Sequence, residues 1–195
     1  QLTNPNYLTL ALVCENPLCG KNNAKSTMVT ANTFRQKLIA GKPTIGTHFM
    51  FNDPDIPEMI GDSGFFDYGE FAAEYASFDM DRLYHVARSA QCGGLPLMIK
   101  PDQESQGFWS QAALGAGFKA VLFTDIRSAA DVEECHRLIR PDFPDIHGSM
   151  GVKLRRPALQ NYDIDQYAEE LKNIVFAIMI EKNAAYENLD EILEK

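Results

Sequence analysis

A small set of reactive side chains falls at the carboxyl ends of apolar runs. His48 closes T-I-G-T-H, and Glu74 and Tyr75 follow a second run that begins at Phe65. Lys100 closes L-P-L-M-I-K, Thr124 and Asp125 follow A-V-L-F, and Glu181 and Lys182 follow I-V-F-A-I-M-I. Two carboxylates, a cation and an imidazole brought to one mouth would suit a hard divalent cation held by oxygen, with a positive side chain for an anionic ligand. Each residue also has a plainer use. A glutamate beside a barrel lysine makes a structural ion pair, and His48 makes a hydrogen-bonded interior histidine. Tyr75 and Tyr68 read as packing residues, and Glu70 and Glu58 as lying on helices or outer surfaces. His85, His136 and His147 fall on helices or loops and receive no role.

Convergence of those residues requires a fold that gathers strand ends. Five runs read as strands: Thr44–Phe51, Phe65–Ala73, Leu95–Lys100, Ala120–Thr124 and Ile174–Glu181. They are apolar almost without interruption, as strands covered on both faces must be. Helical segments separate them. Thr33–Ala40 stops at Gly41, Pro54–Asp62 is short, and Asp79–Gln91 places Leu83, Val86, Ala87 and Ala90 on one face. Ser105–Gly115 follows, and S-A-A-D opens Ser128–Ile139 with a capping-box pattern. Asp163 caps Ile164–Lys172, and Ala184–Lys195 is the last helix. Regular alternation of strand and helix predicts a parallel sheet in an α/β fold. A doubly wound nucleotide-binding sheet would need a glycine-rich turn after its first strand, whereas Phe51-Asn52-Asp53-Pro54 has no glycine. The (β/α)8 TIM barrel is therefore the expected architecture, with about five βα units and hence an incomplete barrel. Residues 1–31, rich in Asn, Thr, Lys and Pro, read as an N-terminal arm, and residues 32–195 as the barrel domain truncated at its C-terminal side. The last strand, Ile174–Glu181, is expected to be an exposed apolar edge that favours self-association.

Composition narrows the partners. The chain has 195 residues, 45% hydrophobic and 23% charged, with a net charge of −9. Such an acidic balance excludes nucleic acid and anionic membrane as partners, since both select basic faces. No apolar run reaches the roughly 18–20 residues of a bilayer span. Tyr7–Cys14 is apolar, yet no Lys or Arg precedes it, so it does not read as a signal peptide. Cys14, Cys19, Cys92 and Cys135 show no zinc spacing and read as free thiols of a cytoplasmic protein, with a Cys14–Cys19 bridge as the minor alternative.

Five segments in this order resemble the HpcH/HpaI aldolase family: T-I-G-T-H-F-M-F-N-D-P, G-F-F-D-Y-G-E-F-A-A-E-Y-A-S-F-D, M-I-K-P-D-Q, G-A-G-F-K-A-V-L-F and M-I-E-K-N-A-A-Y-E-N-L-D-E-I-L. The similarity runs from Asn32 to Lys195. It implies a class II aldolase acting on 4-hydroxy-2-oxo acids, and a trimer or hexamer of identical subunits. It implies that Glu181 binds a divalent metal (Mg, Mn or Co), with Glu74 at the acidic residue of the family's D-G-E-H-A-P segment. Lys100 matches an arginine that contacts the pyruvate enolate, and His48 falls where a mouth-lining tryptophan is usual. The chain departs from the pattern at Tyr75, which replaces an acid/base histidine, and at Ala72, which replaces its supporting aspartate. A lysine at position 100 keeps the charge but loses the bidentate fork. The family's second metal aspartate, in a G-P-A-D stretch, would fall beyond Lys195.

The resulting expectation is a metal-dependent lyase that cleaves a 4-hydroxy-2-oxo acid to pyruvate and an aldehyde. Lys100 would face the enolate, and Tyr75 or a metal-bound water would carry the proton. Lys182, adjacent to Glu181, is expected to turn away from the interior. Two rival readings stand beside it: a Schiff-base aldolase acting through Lys100, and an inactive pseudoenzyme kept for binding or assembly.

Overall fold

The computed structural model describes residues 9–10, 32–152 and 163–195. The arm at 1–8 and 11–31, with both Cys14 and Cys19, lies outside the described residues. Five parallel strands run β2 Gly46–Phe49, β3 Tyr68–Phe71, β4 Leu97–Ile99, β5 Ala120–Phe123 and β6 Val175–Met179, adjacent in sequence order. Helices α1 Thr33–Ile39, α2 Asp55–Asp62, α3 Met80–Cys92, α4 Gln106–Ala116, α5 Ala129–Leu138 and α6 Ile164–Leu171 alternate with them, and α7 Asn183–Glu187 and α8 Leu189–Leu193 follow β6. This is the sheet of a TIM barrel carried through five strands.

Side-chain alternation gives the sheet two apolar faces. Phe49, Phe71, Leu97, Ile99, Val121, Phe123, Phe176 and Ile178 point outward into one buried cluster with Leu83, Val86, Ala87 and Ala90 of α3. Those four helical residues are the ones whose spacing predicts a buried face. Met98, Ala120, Leu122, Val175 and Ala177 point the other way and form a second cluster with Phe34 of α1. Full burial of one such side chain contributes roughly 1.5–3 kcal/mol, so the outward cluster dominates stability.

Helix α1 closes the amino-terminal end of the inner face. Asn32 caps it by accepting from the Arg35 N–H, and donates through Nδ2 to the carbonyls of Lys119 and Asn173, at the starts of β5 and β6. Phe34 then stacks on Tyr68 at 4.2 Å. Gly46 has to be glycine here, because a Cβ would stand 2.2 Å from the Tyr68 ring.

Several element ends fall a residue or two inside the expected ranges, and three differences bear on the site. The strand expected from Phe65 begins at Tyr68, because Asp67 is held by Lys37 and by the Ile45 N–H while Phe65 is left exposed. The final helix breaks at Asn188, whose side chain leaves the helix register to donate to the Arg127 carbonyl at 3.1 Å. The edge of β6 is not bare: β1, Thr9–Leu10, lies antiparallel against it, pairing Thr9 with Met179 and Leu10 with Ile178. The expected exposed edge is thus covered in part: the arm pairs with Ile178 and Met179, while residues 175–177 have no strand on that side among the described residues.

Candidate active site

Strand ends place the chemistry-bearing residues in two groups. The first follows β3 and β4. Lys100 Nζ lies 2.9 Å from Glu74 Oε2, and the Glu74 N–H donates to the Lys100 carbonyl at 2.9 Å, so backbone and side chains join the same two strand ends. The ammonium also sits 5.0 Å from the centre of the Tyr75 ring, whose other face is exposed. Glu74 Oε2 is buried without a well-aligned hydrogen bond. At that distance Lys100 and Glu74 form a close ion pair.

Burial alone would pull the Lys100 pKa down, but the carboxylate of Glu74, with lesser help from Tyr75 and Glu70, outweighs it and raises the value. A Schiff-base lysine needs the opposite, a free amine within reach of neutral pH. The Glu74 contact therefore works against the free-amine form that an imine at Lys100 would need.

The second group follows β5 and β6. Asp125 adopts φ 59°, a left-handed conformation that aspartate enters more readily than most non-glycine residues. That conformation aims its N–H at Glu181 Oε1, 3.1 Å away. Its carboxylate forms an ion pair with Lys182, and its carbonyl accepts from Arg127 Nη1 at 3.0 Å. Lys182 thus pairs with the residue that follows β5; β6 ends at Met179, so strand alternation does not fix the direction of the residues after it. Thr124, at the end of β5, buries a hydroxyl with no partner among the described residues.

His48 is exposed on the inner face, penultimate in β2, and stands in register beside Glu70, penultimate in β3. Glu70 is the residue that sequence reasoning misplaced. It lies on the inner face rather than on a helix or outer surface, and burial raises its pKa against the opposing pull of Lys100 and His48. The signal was present: Tyr68, Glu70 and Ala72 keep the same two-residue period that orders the other inner-facing side chains.

The residues present do not make a closed metal site. Among the described residues no three His, Cys, Asp or Glu side chains converge on one point. Glu74 is compensated by Lys100, and Glu181 is tied to a backbone N–H in the other group. A hard cation that takes six or more oxygens would find single carboxylates here, in two separate settings.

No protein-family model and no curated protein matches the sequence. Solved structures do match its fold. An HpcH/HpaI aldolase/citrate lyase family protein from Burkholderia cenocepacia aligns with TM-score 0.73 and 21% identity over 83% of this chain and 64% of its own. An HpcH/HpaI aldolase from Desulfitobacterium hafniense aligns at 0.69 and 24% identity, over 81% and 60%. Citrate synthase SbnG aligns at 0.69 and 20% identity, over 83% and 60%. At the level of fold, the chain is of the TIM-barrel class to which these aldolase and citrate lyase structures belong. It spans about three-fifths of the length of those proteins.

Proposed function

We propose that this chain forms the β2–β6 side of the active site of a carbon–carbon lyase, one that cleaves a 4-hydroxy-2-oxo acid to pyruvate and an aldehyde. The observation that carries the reading is Lys100: a cation after β4, paired with Glu74, in a fold shared with an HpcH/HpaI aldolase. Cleavage of such an acid moves negative charge onto the oxygen of the former keto group, and a cation fixed in advance at that point lowers the barrier without reorganising. Lysine supplies this as a point charge, with no bidentate demand on geometry. Arg127 and Lys182, gathered by Asp125, give the neighbouring strand ends cations for the substrate carboxylate. A divalent metal would supply Lewis-acid stabilisation of the same enolate. The described residues offer it Glu181 but no closed ligand set.

The test is pyruvate release from a panel of 4-hydroxy-2-oxo acids, read by coupling to lactate dehydrogenase, with and without added Mg or Mn. Turnover that falls in Lys100→Met and survives in Lys100→Arg is expected. Release of pyruvate that ignores both substitutions would remove Lys100 from the chemistry and with it the basis of this reading.

A further inference from the structure

The proton carrier is the unassigned part of this site. Tyr75, the sequence candidate, has its ring engaged by the Lys100 ammonium and stands largely in solvent. The inner face offers a different pair. His48 and Glu70 occupy partner positions in the parallel register of β2 and β3, both one residue short of their strand ends. Both follow the inward alternation defined by Tyr68 and Met98. Glu70 accepts no hydrogen bond and forms no ion pair among the described residues, so its half-buried charge does no evident structural work. A carboxylate held on an apolar face without a direct hydrogen bond is costly, and only the more distant charges of Lys100 and His48 offset that cost. Such a group beside an exposed imidazole is a constellation suited to proton transfer.

We propose that His48 is the general acid/base of the site and that Glu70 is its positioning residue, orienting the imidazole and stabilising the imidazolium. The inference rests on the lyase reading above. In the cleavage direction the neutral imidazole takes the proton of the C4 hydroxyl as the C3–C4 bond breaks. The bond's electron pair passes into the enolate of pyruvate beside Lys100, and C4 leaves as the aldehyde carbonyl. The imidazolium then returns the same proton to C3, so the enzyme ends as it began and no oxidant or further reactant is needed. The groups facing Glu70 are His48 from β2, Tyr68 from its own strand and Lys100 from the end of β4; α1 brings Phe34 against Tyr68. Lys100 and His48 both favour the ionised carboxylate, while burial, the largest influence, opposes it.

Two measurements on the full chain test this. The first is exchange of the pyruvate methyl protons with deuterium oxide, followed by NMR. His48→Gln should slow exchange by about 100-fold or more, the range for loss of a general base. Glu70→Gln should slow it and change its pH profile, with Glu70→Asp restoring part of the rate. The second is the titration of the Glu70 carboxyl carbon by NMR, which needs no activity: in His48→Gln it should move upward from its wild-type position. Wild-type exchange that persists unchanged in His48→Gln, or a Glu70 titration indifferent to His48, would overturn the pair while leaving the lyase reading intact. Absence of exchange in the wild-type chain, with the Glu70 titration still sensitive to His48, would instead strike the lyase reading and remove the catalytic role built on it.

Discussion

Replacing Lys100 with methionine keeps the apolar stem and removes the charge that faces Glu74. At 2.9 Å a pair of unit charges attracts by about 6 kcal/mol at an effective dielectric near 20, before either desolvation cost is counted. The side chains are 13% and 21% exposed, between the surface pairs worth about 0–1 kcal/mol and the buried pairs whose rupture costs about 3–5 kcal/mol. Lys100→Met is therefore expected to destabilise by roughly 2–3 kcal/mol, most of it the penalty of leaving Glu74 uncompensated. The Glu74→Gln change should cost less, and the double variant should recover part of the loss. A urea-unfolding double-mutant cycle over the four proteins reads the coupling, expected at about 1–2 kcal/mol. A coupling below roughly 0.5 kcal/mol would refute the argument, because the pair would then be an ordinary solvated surface contact.

Acid pH and helix capping provide two further checks. Burial, followed by the nearby Arg140, depresses the His136 pKa from 6.5 to about 4, so the fold favours the neutral ring. The associated stability is complete above about pH 6.5 and is lost as pH falls through about 4. His136→Gln retains an acceptor for Arg140 Nε and should flatten this slope in denaturant titrations at stepped pH; an undiminished slope would assign the acid sensitivity elsewhere. Ser128 accepts from the Asp131 N–H in a reciprocal capping box, so Ser128→Ala should lower stability by about 1 kcal/mol, seen as a fall in the urea midpoint at unchanged m.

Strands and helices were legible because each rests on a local pattern. The α3 face, the α5 capping box and the Asp163 cap of α6 follow from spacing and side-chain chemistry within one turn, and the structure repeats them. The five-strand parallel order follows from continuous apolar runs between helices. Features that depend on distant residues were less accessible. The start of β3 is set by Lys37 and Ile45, far back in the sequence, and the break at Asn188 by a carbonyl sixty-one residues away. Lys182 was assigned by an alternation that ends two residues before Glu181. Glu70 was missed for a different reason: a charged residue between Gly69 and Phe71 reads as solvent-facing unless the two-residue period is carried through it. The apolar arm segment Thr9–Leu10 gave no sign that it would pair with β6.

Pyruvate binding is the direct test of the central claim that Lys100 holds the charge of a 2-oxo acid at the carboxyl end of this sheet. Titration calorimetry would compare the wild-type chain with Lys100→Met and Lys182→Met. Loss of one charged hydrogen bond, about 1.5–3 kcal/mol, predicts a 10- to 150-fold weaker Kd in Lys100→Met, roughly. Lys182→Met should weaken binding less, since that ammonium is 40% exposed and better screened by water than Lys100 at 13%. Equal pyruvate affinity in the wild type and Lys100→Met would contradict the account.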